Sequence, residues 1–337
     1  VSVPPPGPIA VLGAGSWGTA LAVQLARSGA PVLLWGRDAA ALDDLATHRE
    51  NRRYLPGVAL PDSLRVEPDL ARAAAAAADV LVCVPSHAFR GLLVALAPAL
   101  RPAARLAWAT KGFEQHTGLL PHALARAVVG AGRPLAALSG PTFAREVGAG
   151  LPTALTVAAS EAAFAGDLAA RLSGARFRAY TSTDMVGVEV GGAVKNVLAI
   201  GAGISDGLRY GANTRIALIT RGLAEMTRLG VALGARARTF VGLSGMGDLV
   251  LTCTDDQSRN RRLGLALAAG VPLADAVRQI GQVVEGVYAA EAVREVAAGL
   301  DLDLPICAQV AAILAGRTTP AAAVDALMAR ALRPEED

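Results

Sequence analysis

Short apolar runs alternate with amphipathic stretches through the first half of this chain, and then the runs stop. Residues 9–12 are four consecutive apolar positions that end in Gly13-Ala14-Gly15-Ser16-Trp17-Gly18. Residues 19–27 then have helical spacing and stop at Gly29, so the opening reads as strand, glycine turn and helix. Residues 31–35, 79–84, 105–109 and 135–138 are further runs of strand length, with helical segments between most of them. Residues 73–78 read as an alanine-rich helix. This alternation predicts a doubly wound, Rossmann-like α/β fold, a parallel sheet covered by helices on both faces. Residues 153–158 and 177–181, with a helix over 161–172 between them, read as an extension of that sheet.

From about residue 185 the strand signal disappears. Amphipathic stretches at 186–204, 214–229, 259–269, 273–280 and 289–298 remain, punctuated by glycine. The chain therefore divides into a dinucleotide-binding domain over 1–186 and an all-helical substrate domain over 187–337. Its 337 residues are ample for two cores.

Composition narrows the function. Hydrophobic residues make up 53% of the chain and aromatics only 4%, which fits helices packed through small side chains. A net charge of +3 is too small to argue for nucleic acid or an anionic membrane and leaves small phosphorylated ligands as the better match. No stretch reaches the roughly 18 uninterrupted apolar residues of a membrane span, and residues 3–8 read as a proline-rich leader without a signal peptide's apolar core. A cytoplasmic protein without membrane insertion is expected. Cys83, Cys253 and Cys307 lack the spacing of a disulfide framework or a zinc site, so reduced thiols and no metal are expected.

The glycine turn carries the cofactor signal. In GxGxxG after a strand, Gly13 permits the tight turn, Gly15 admits a pyrophosphate to the backbone and Gly18 lets helix and sheet approach closely. The phosphates then sit on unpaired N–H groups of the helix, beside Ser16 and Trp17. Sites that prefer NAD place a carboxylate at the end of the second strand. Here that stretch reads Leu34-Trp35-Gly36-Arg37-Asp38, and Arg37 beside Gly36 favours a phosphorylated ribose. NADPH is thus favoured over NADH, with Asp38 placed either to reach the ribose or to cap the next helix.

Of the 32 basic side chains only Lys111 and Lys195 are lysine. Arginine stays charged throughout the accessible pH range, whereas a lysine amine can be tuned by burial to exchange protons. Lys111 follows a strand, at the edge where ligands bind in doubly wound sheets. Residues 84–87 and 139–144 place two more turns on that edge. Lys195 lies in a helical segment with Gly191 and Gly192 one turn before it, so the surface around the amine is nearly bare and leaves room for a substrate or for another helix. The apolar Val194, Val197 and Ile200 would desolvate the amine and lower its pKa, as a general acid requires. The alternative is a structural lysine at a domain interface.

Two further segments fit a phosphorylated substrate. Asp248 follows Gly245-Met246-Gly247 and can pair with Lys195 or cap a helix. Ser258-Arg259-Asn260 opens a helix and combines a hydroxyl, a guanidinium fork and an amide, with Arg261 and Arg262 read as a solvated basic face. His87 is on the site edge, in a structural or positioning role ahead of catalysis. Glu285, alone, reads as a surface carboxylate or a return to the cofactor.

Together these segments resemble the bacterial-type NAD(P)-dependent glycerol-3-phosphate dehydrogenases from Gly13 to Glu285. The residues that carry the resemblance are residues 13–20, Asn51 with residues 54–57, Lys111-Gly112, residues 139–144, 191–196, 245–248 and 256–262. The resemblance implies reversible reduction of dihydroxyacetone phosphate to sn-glycerol 3-phosphate, for glycerophospholipid synthesis, by a homodimer. It also implies proton transfer by Lys195, with Lys111 contacting both substrate and cofactor. Gly140, Thr142, Asp248, Ser258, Arg259 and Asn260 would line the substrate. Ser16, Trp17, Arg37, Ala144, Arg259, Val283 and Glu285 would line the dinucleotide. Two other readings compete: a reductase of another small ketone on the same plan, against which the Ser258-Arg259-Asn260 segment argues, and a non-catalytic dinucleotide sensor, which has no use for Lys195.

Overall fold

The computed structural model describes residues 7–331 and 334; most of the proline-rich leader, residues 1–6, lies outside them. The strands are β1 (Ile9–Leu12), β2 (Val32–Trp35), β3 (Glu50–Asn51), β4 (Leu55–Ala59), β5 (Leu64–Val66), β6 (Asp79–Val82), β7 (Arg105–Trp108), β8 (Leu135–Ser139), β9 (Thr153–Ala159) and β10 (Phe177–Ser182). The helices that follow or join them are α1 (Ser16–Arg27), α2 (Ala39–His48), α3 (Leu70–Ala76), α4 (Ser86–Leu96), α5 (Pro121–Val129), α6 (Ala144–Ala149) and α7 (Ala162–Leu172).

Eight strands form one sheet in the order β10-β9-β8-β7-β6-β1-β2-β5. The predicted strands all fall in it. Successive residues of β1 point to opposite faces: Ile9 and Val11 enter one apolar core, Ala10 and Leu12 another. Helices thus cover both sides, as the uninterrupted apolar runs require. Two features depart from the expected parallel extension. β8 and β9 pair antiparallel, because the chain reverses between Ser139 and Thr153 instead of crossing over the sheet. At the far edge β5 pairs with β2 over only three residues, too few for an alternation to be visible. β3 and β4 form a separate small hairpin that includes Pro56 and Gly57.

The rest is helical: α8 (Met185–Gly207), α9 (Gly211–Ala232), α10 (Asp248–Thr254), α11 (Arg259–Ala268), α12 (Leu273–Ile280), α13 (Glu285–Gly299), α14 (Pro305–Leu314) and α15 (Pro320–Met328). α8 is long and apolar enough by composition to cross a membrane, yet 94% of its most apolar window is enclosed by the protein itself. It is the axis of the second core. α11 crosses it at glycines on both sides, where a Cβ on Gly203 would lie 2.1 Å from the Arg261 carbonyl oxygen and one on Gly264 2.1 Å from that of Ile200. α8 also begins in the sheet domain: Met185 and Val188 pack with Leu106 and Trp108, whereas Val190 and Val194 belong to the helical core. The division expected between residues 186 and 187 therefore falls inside the first turn of one continuous helix.

Candidate active site

The two lysines meet at a single carboxylate. Asp248, the first residue of α10 and 1% exposed, accepts a close hydrogen bond from Lys195 Nζ on Oδ1. Its Oδ2 accepts from Lys111 Nζ at 2.6 Å and from the Ser139 hydroxyl at 3.2 Å. Lys195 also donates to Thr252 Oγ1 at 3.0 Å, and that hydroxyl donates to the Asp248 carbonyl at 2.6 Å. Four elements, β7, β8, α8 and α10, thus deliver one charged cluster at the carboxyl edge of the sheet. Of the two alternatives left open for Asp248, the structure realises the pairing with Lys195: Asp248 is the first residue of α10, which starts after Gly247 without a side-chain cap. Thr252 had no role in the sequence reading, and Ser139 entered it only as part of the turn over residues 139–144.

Burial is the largest influence on Lys195, which is 7% exposed. Desolvation lowers its pKa from the ordinary lysine range to about 7; Asp248 opposes the shift and the nearby Lys111 ammonium adds to it. Burial alone would raise the Asp248 pKa, but its two lysine partners hold it below the usual carboxylate range. The carboxylate therefore stays ionised, and the proton that leaves this cluster near neutrality comes from Lys195.

The glycines before Lys195 serve a purpose other than the open surface expected. A Cβ on Gly191 would lie 2.3 Å from the Ser244 carbonyl oxygen, and one on Gly192 3.3 Å from Lys111 Cγ. The patch is filled by the turn that leads into Asp248 and by the stem of Lys111. Glycine here brings the carboxylate and the second amine to the first. Gly112, with φ of +137°, turns the chain after Lys111 against Ser86, and Thr110 ties the same loop to the Val84 carbonyl at 2.7 Å. The loops after β6 and β7 are thereby locked together.

The proposed phosphate end is joined to Lys195 through amides. Asn196 Oδ1 accepts from Asn260 Nδ2 at 2.9 Å, and Asn260 Oδ1 accepts from the Gly286 N–H at 2.9 Å. Asn260 thus links α8, α11 and α13, and Ser258 caps α11 by accepting from the Arg261 N–H at 3.2 Å. Among the described residues the half-buried Arg259 guanidinium donates a single long hydrogen bond, of 3.4 Å to Gln282 Oε1, which leaves most of its fork for a ligand. Desolvation lowers its pKa, and Glu285 opposes that. Arg261 departs from the solvated role expected: it is 8% exposed and pairs with Asp206 and Asp256, while Arg262 is exposed as expected. Asp206, remote in sequence, makes the difference.

The dinucleotide end fits its cofactor. Cβ atoms on Gly13 and Gly18 would lie 2.6 Å from the Cys83 carbonyl oxygen and 1.9 Å from that of Gly13, whereas one on Gly15 would meet nothing within 4 Å. α1 starts after Gly15 without a side-chain cap, so its first N–H groups face that open space, and the buried Trp17 Nε1 has no hydrogen-bond partner among the described residues. Asn51 braces the turn by donating to the Ala14 carbonyl at 3.0 Å and to Thr19 Oγ1 at 2.8 Å. At the end of β2, Arg37 is exposed, while Asp38 caps α2 by accepting from the Ala41 N–H at 3.2 Å. Glu285, at the start of α13 and two residues after Val283, accepts from the Ser86 hydroxyl at 3.0 Å and joins the helical domain to the cofactor edge. The His87 ring packs 5.0 Å from that of Tyr288. Gly140 and Thr142 lie just beyond β8, the Thr142 hydroxyl donating to the Gly140 carbonyl at 3.1 Å, and Ala144 opens α6.

Comparison with known proteins adds an independent line. Residues 8–165 match the N-terminal domain of NAD-dependent glycerol-3-phosphate dehydrogenase and residues 184–325 match its C-terminal domain. A relative from Xanthomonas campestris named NAD(P)-dependent glycerol-3-phosphate dehydrogenase is 56% identical over 328 residues, 97% of this chain and 96% of its own. One of the same name from Stenotrophomonas maltophilia is 57% identical over equal coverage. The crystal structure of glycerol-3-phosphate dehydrogenase from Coxiella burnetii superposes with a TM-score of 0.93 at 46% identity, covering 96% of this chain and 99% of that one. A ketopantoate reductase from Ralstonia eutropha, at 17% identity and a TM-score of 0.60, shares the fold alone.

Proposed function

This chain belongs to the family of NAD-dependent glycerol-3-phosphate dehydrogenases, oxidoreductases that use NAD or NADP to interconvert dihydroxyacetone phosphate and glycerol 3-phosphate, and we propose that Lys195 is its proton-transfer residue. The observation that carries this reading is the buried amine, with a pKa brought near neutrality, held on a carboxylate at the edge of the dinucleotide fold.

The N–H groups of α1, with Ser16 and Trp17 beside them, would hold the dinucleotide, which would supply the hydride when bound. Lys195 Nζ gives its proton to the carbonyl oxygen as negative charge builds there. Asp248 and Thr252 aim the amine, and Asp248 remains ionised throughout. Lys111 adds positive charge next to the same oxygen, and Arg259 holds the phosphate with the helix end at Ser258. Stabilising charge that appears only in the transition state raises turnover, not affinity. Changing Lys195→Arg keeps the charge and removes the exchangeable proton, so kcat should fall by about a hundredfold or more with the Michaelis constants little changed. Near-normal turnover measured by NADPH oxidation with dihydroxyacetone phosphate would remove Lys195 from this role.

Three finer readings follow. NADPH is favoured over NADH, supported by an exposed Arg37 and by an Asp38 committed to capping α2. The protein works in the cytoplasm, supported by widely separated thiols of which Cys253 and Cys307 are buried. It is a homodimer, on the strength of the family resemblance, and light scattering of the purified protein tests this directly.

A further inference from the structure

The proposed chemistry makes no use of Glu189, although this is among the most enclosed charged groups in the protein. It lies on α8, six residues before Lys195, and is 5% exposed. Its Oε1 accepts from Trp108 Nε1 at 3.0 Å and from the His122 backbone N–H at 2.9 Å, and its Oε2 lies 2.5 Å from His122 Nδ1. A carboxylate withdrawn from water is destabilising unless charge-assisted hydrogen bonds compensate it; burial raises the Glu189 pKa, and its bonds to His122 and Trp108 oppose that. All three of these bonds come from outside α8.

Where the donors sit is informative. Trp108 is the last residue of β7, and Lys111 follows it by three residues; His122 is the second residue of α5. The segment between β7 and α5 is therefore fastened to α8 at two levels. One fastening is Glu189 with Trp108 and His122. The other is Lys111 with Asp248, which also holds Lys195. Gly192 lies between them, and the Lys111 stem passes over it. The path from Glu189 through Trp108, Lys111, Asp248 and Lys195 back to α8 is a closed ring.

Building on the role given to Lys195, we propose that Glu189 is a positioning residue for the reaction: through Trp108 and His122 it holds the end of β7 against α8 and so sets where Lys111 stands relative to Asp248 and Lys195. Glu189→Gln keeps the shape, but its amide loses the charge and cannot accept from all three donors. The titratable groups that face Lys195 are Asp248 and Cys253 from α10 and Lys111 from the tail of β7. If Lys111 draws back, Lys195 loses a repelling charge and holds its proton to higher pH.

The experiment compares the full-length wild type with Glu189→Gln and Trp108→Phe, measuring kcat, both Michaelis constants, thermal midpoint and the pH dependence of kcat/KM. The expected result for Glu189→Gln is a loss of roughly tenfold or more in kcat, a dinucleotide Michaelis constant within about twofold of wild type, and a basic limb displaced to higher pH. Trp108→Phe removes one donor and shifts the limb in the same direction by less, which keeps the test open if the first variant folds poorly. A lowered thermal midpoint with kcat and the basic limb unchanged in both variants would overturn the proposal and leave Glu189 a structural strut. Lys195→Arg run alongside separates the two readings: if that variant retains the wild-type limb, the fault lies with Lys195, not with Glu189.

Discussion

Two glycine-rich stretches carry the function, and they use the absence of a side chain in opposite ways. In the turn before α1, Gly15 faces open space, while Gly13 and Gly18 close the turn around it. On α8, Gly191 and Gly203 face the protein's own backbone, with Ser244 and Arg261 carbonyl oxygens where a Cβ would go. The first stretch keeps room for a ligand. The second removes room, so that Asp248 and Lys111 reach a largely buried Lys195. Glycine in a sequence thus marks close approach, but the approaching group is known only from the fold.

The sharpest way to break this contrast is to add one methyl group to each stretch. Gly191→Ala puts a Cβ 2.3 Å from a backbone oxygen, and displacing that turn should cost about 1–3 kcal/mol, with the thermal midpoint and kcat both falling. Gly15→Ala should leave the midpoint unchanged and raise the dinucleotide Michaelis constant. Equal midpoints for the two variants in a thermal melt would erase the distinction.

A next test uses pH, because the closed packing on α8 is also what dries Lys195. Reduction needs the protonated amine, so kcat/KM for dihydroxyacetone phosphate should fall as pH rises through about 7, approaching tenfold per pH unit, while oxidation of glycerol 3-phosphate gains over the same range. Stability responds with the opposite sign. The folded-state pKa lies below the unfolded value of 10.5, so between about 7 and 10.5 the unfolded chain binds more protons and this group's penalty is relieved as pH rises. Thermal melts of Lys195→Met across that window should lack this component.

The smallest effect belongs to the open stretch. Arg37→Ala should raise the Michaelis constant for NADPH by about tenfold, the equivalent of a charge-assisted phosphate contact of roughly 1.4 kcal/mol, and leave that for NADH nearly unchanged. Matching changes for both dinucleotides would place Arg37 away from the ribose phosphate.

Much of this was legible in the sequence because the evidence was local. β1, the glycine turn and α1 occupy one continuous stretch, and two lysines among arginines identify themselves. Other parts depended on contacts between distant segments. Thr252 reads as an ordinary helical residue until α10 lies beside α8, and Glu189 has no distinguishing neighbours in sequence. Arg261 read as solvated because Asp206, its half-buried partner, is 55 residues away. The reversal between β8 and β9 was hidden because an apolar run carries no direction. Nor does helical periodicity tell where a domain ends, which is why residue 187 falls within α8.

That helix has one more consequence. With Met185 and Val188 rooted in one core and Val190 and Val194 in the other, the two halves share a beam instead of a linker. Swinging them apart would pull apolar side chains into water at about 1.5–3 kcal/mol for each large one. Relative motion of the two halves therefore strains both cores at once, and Lys195, carried on the same beam, is anchored from each side.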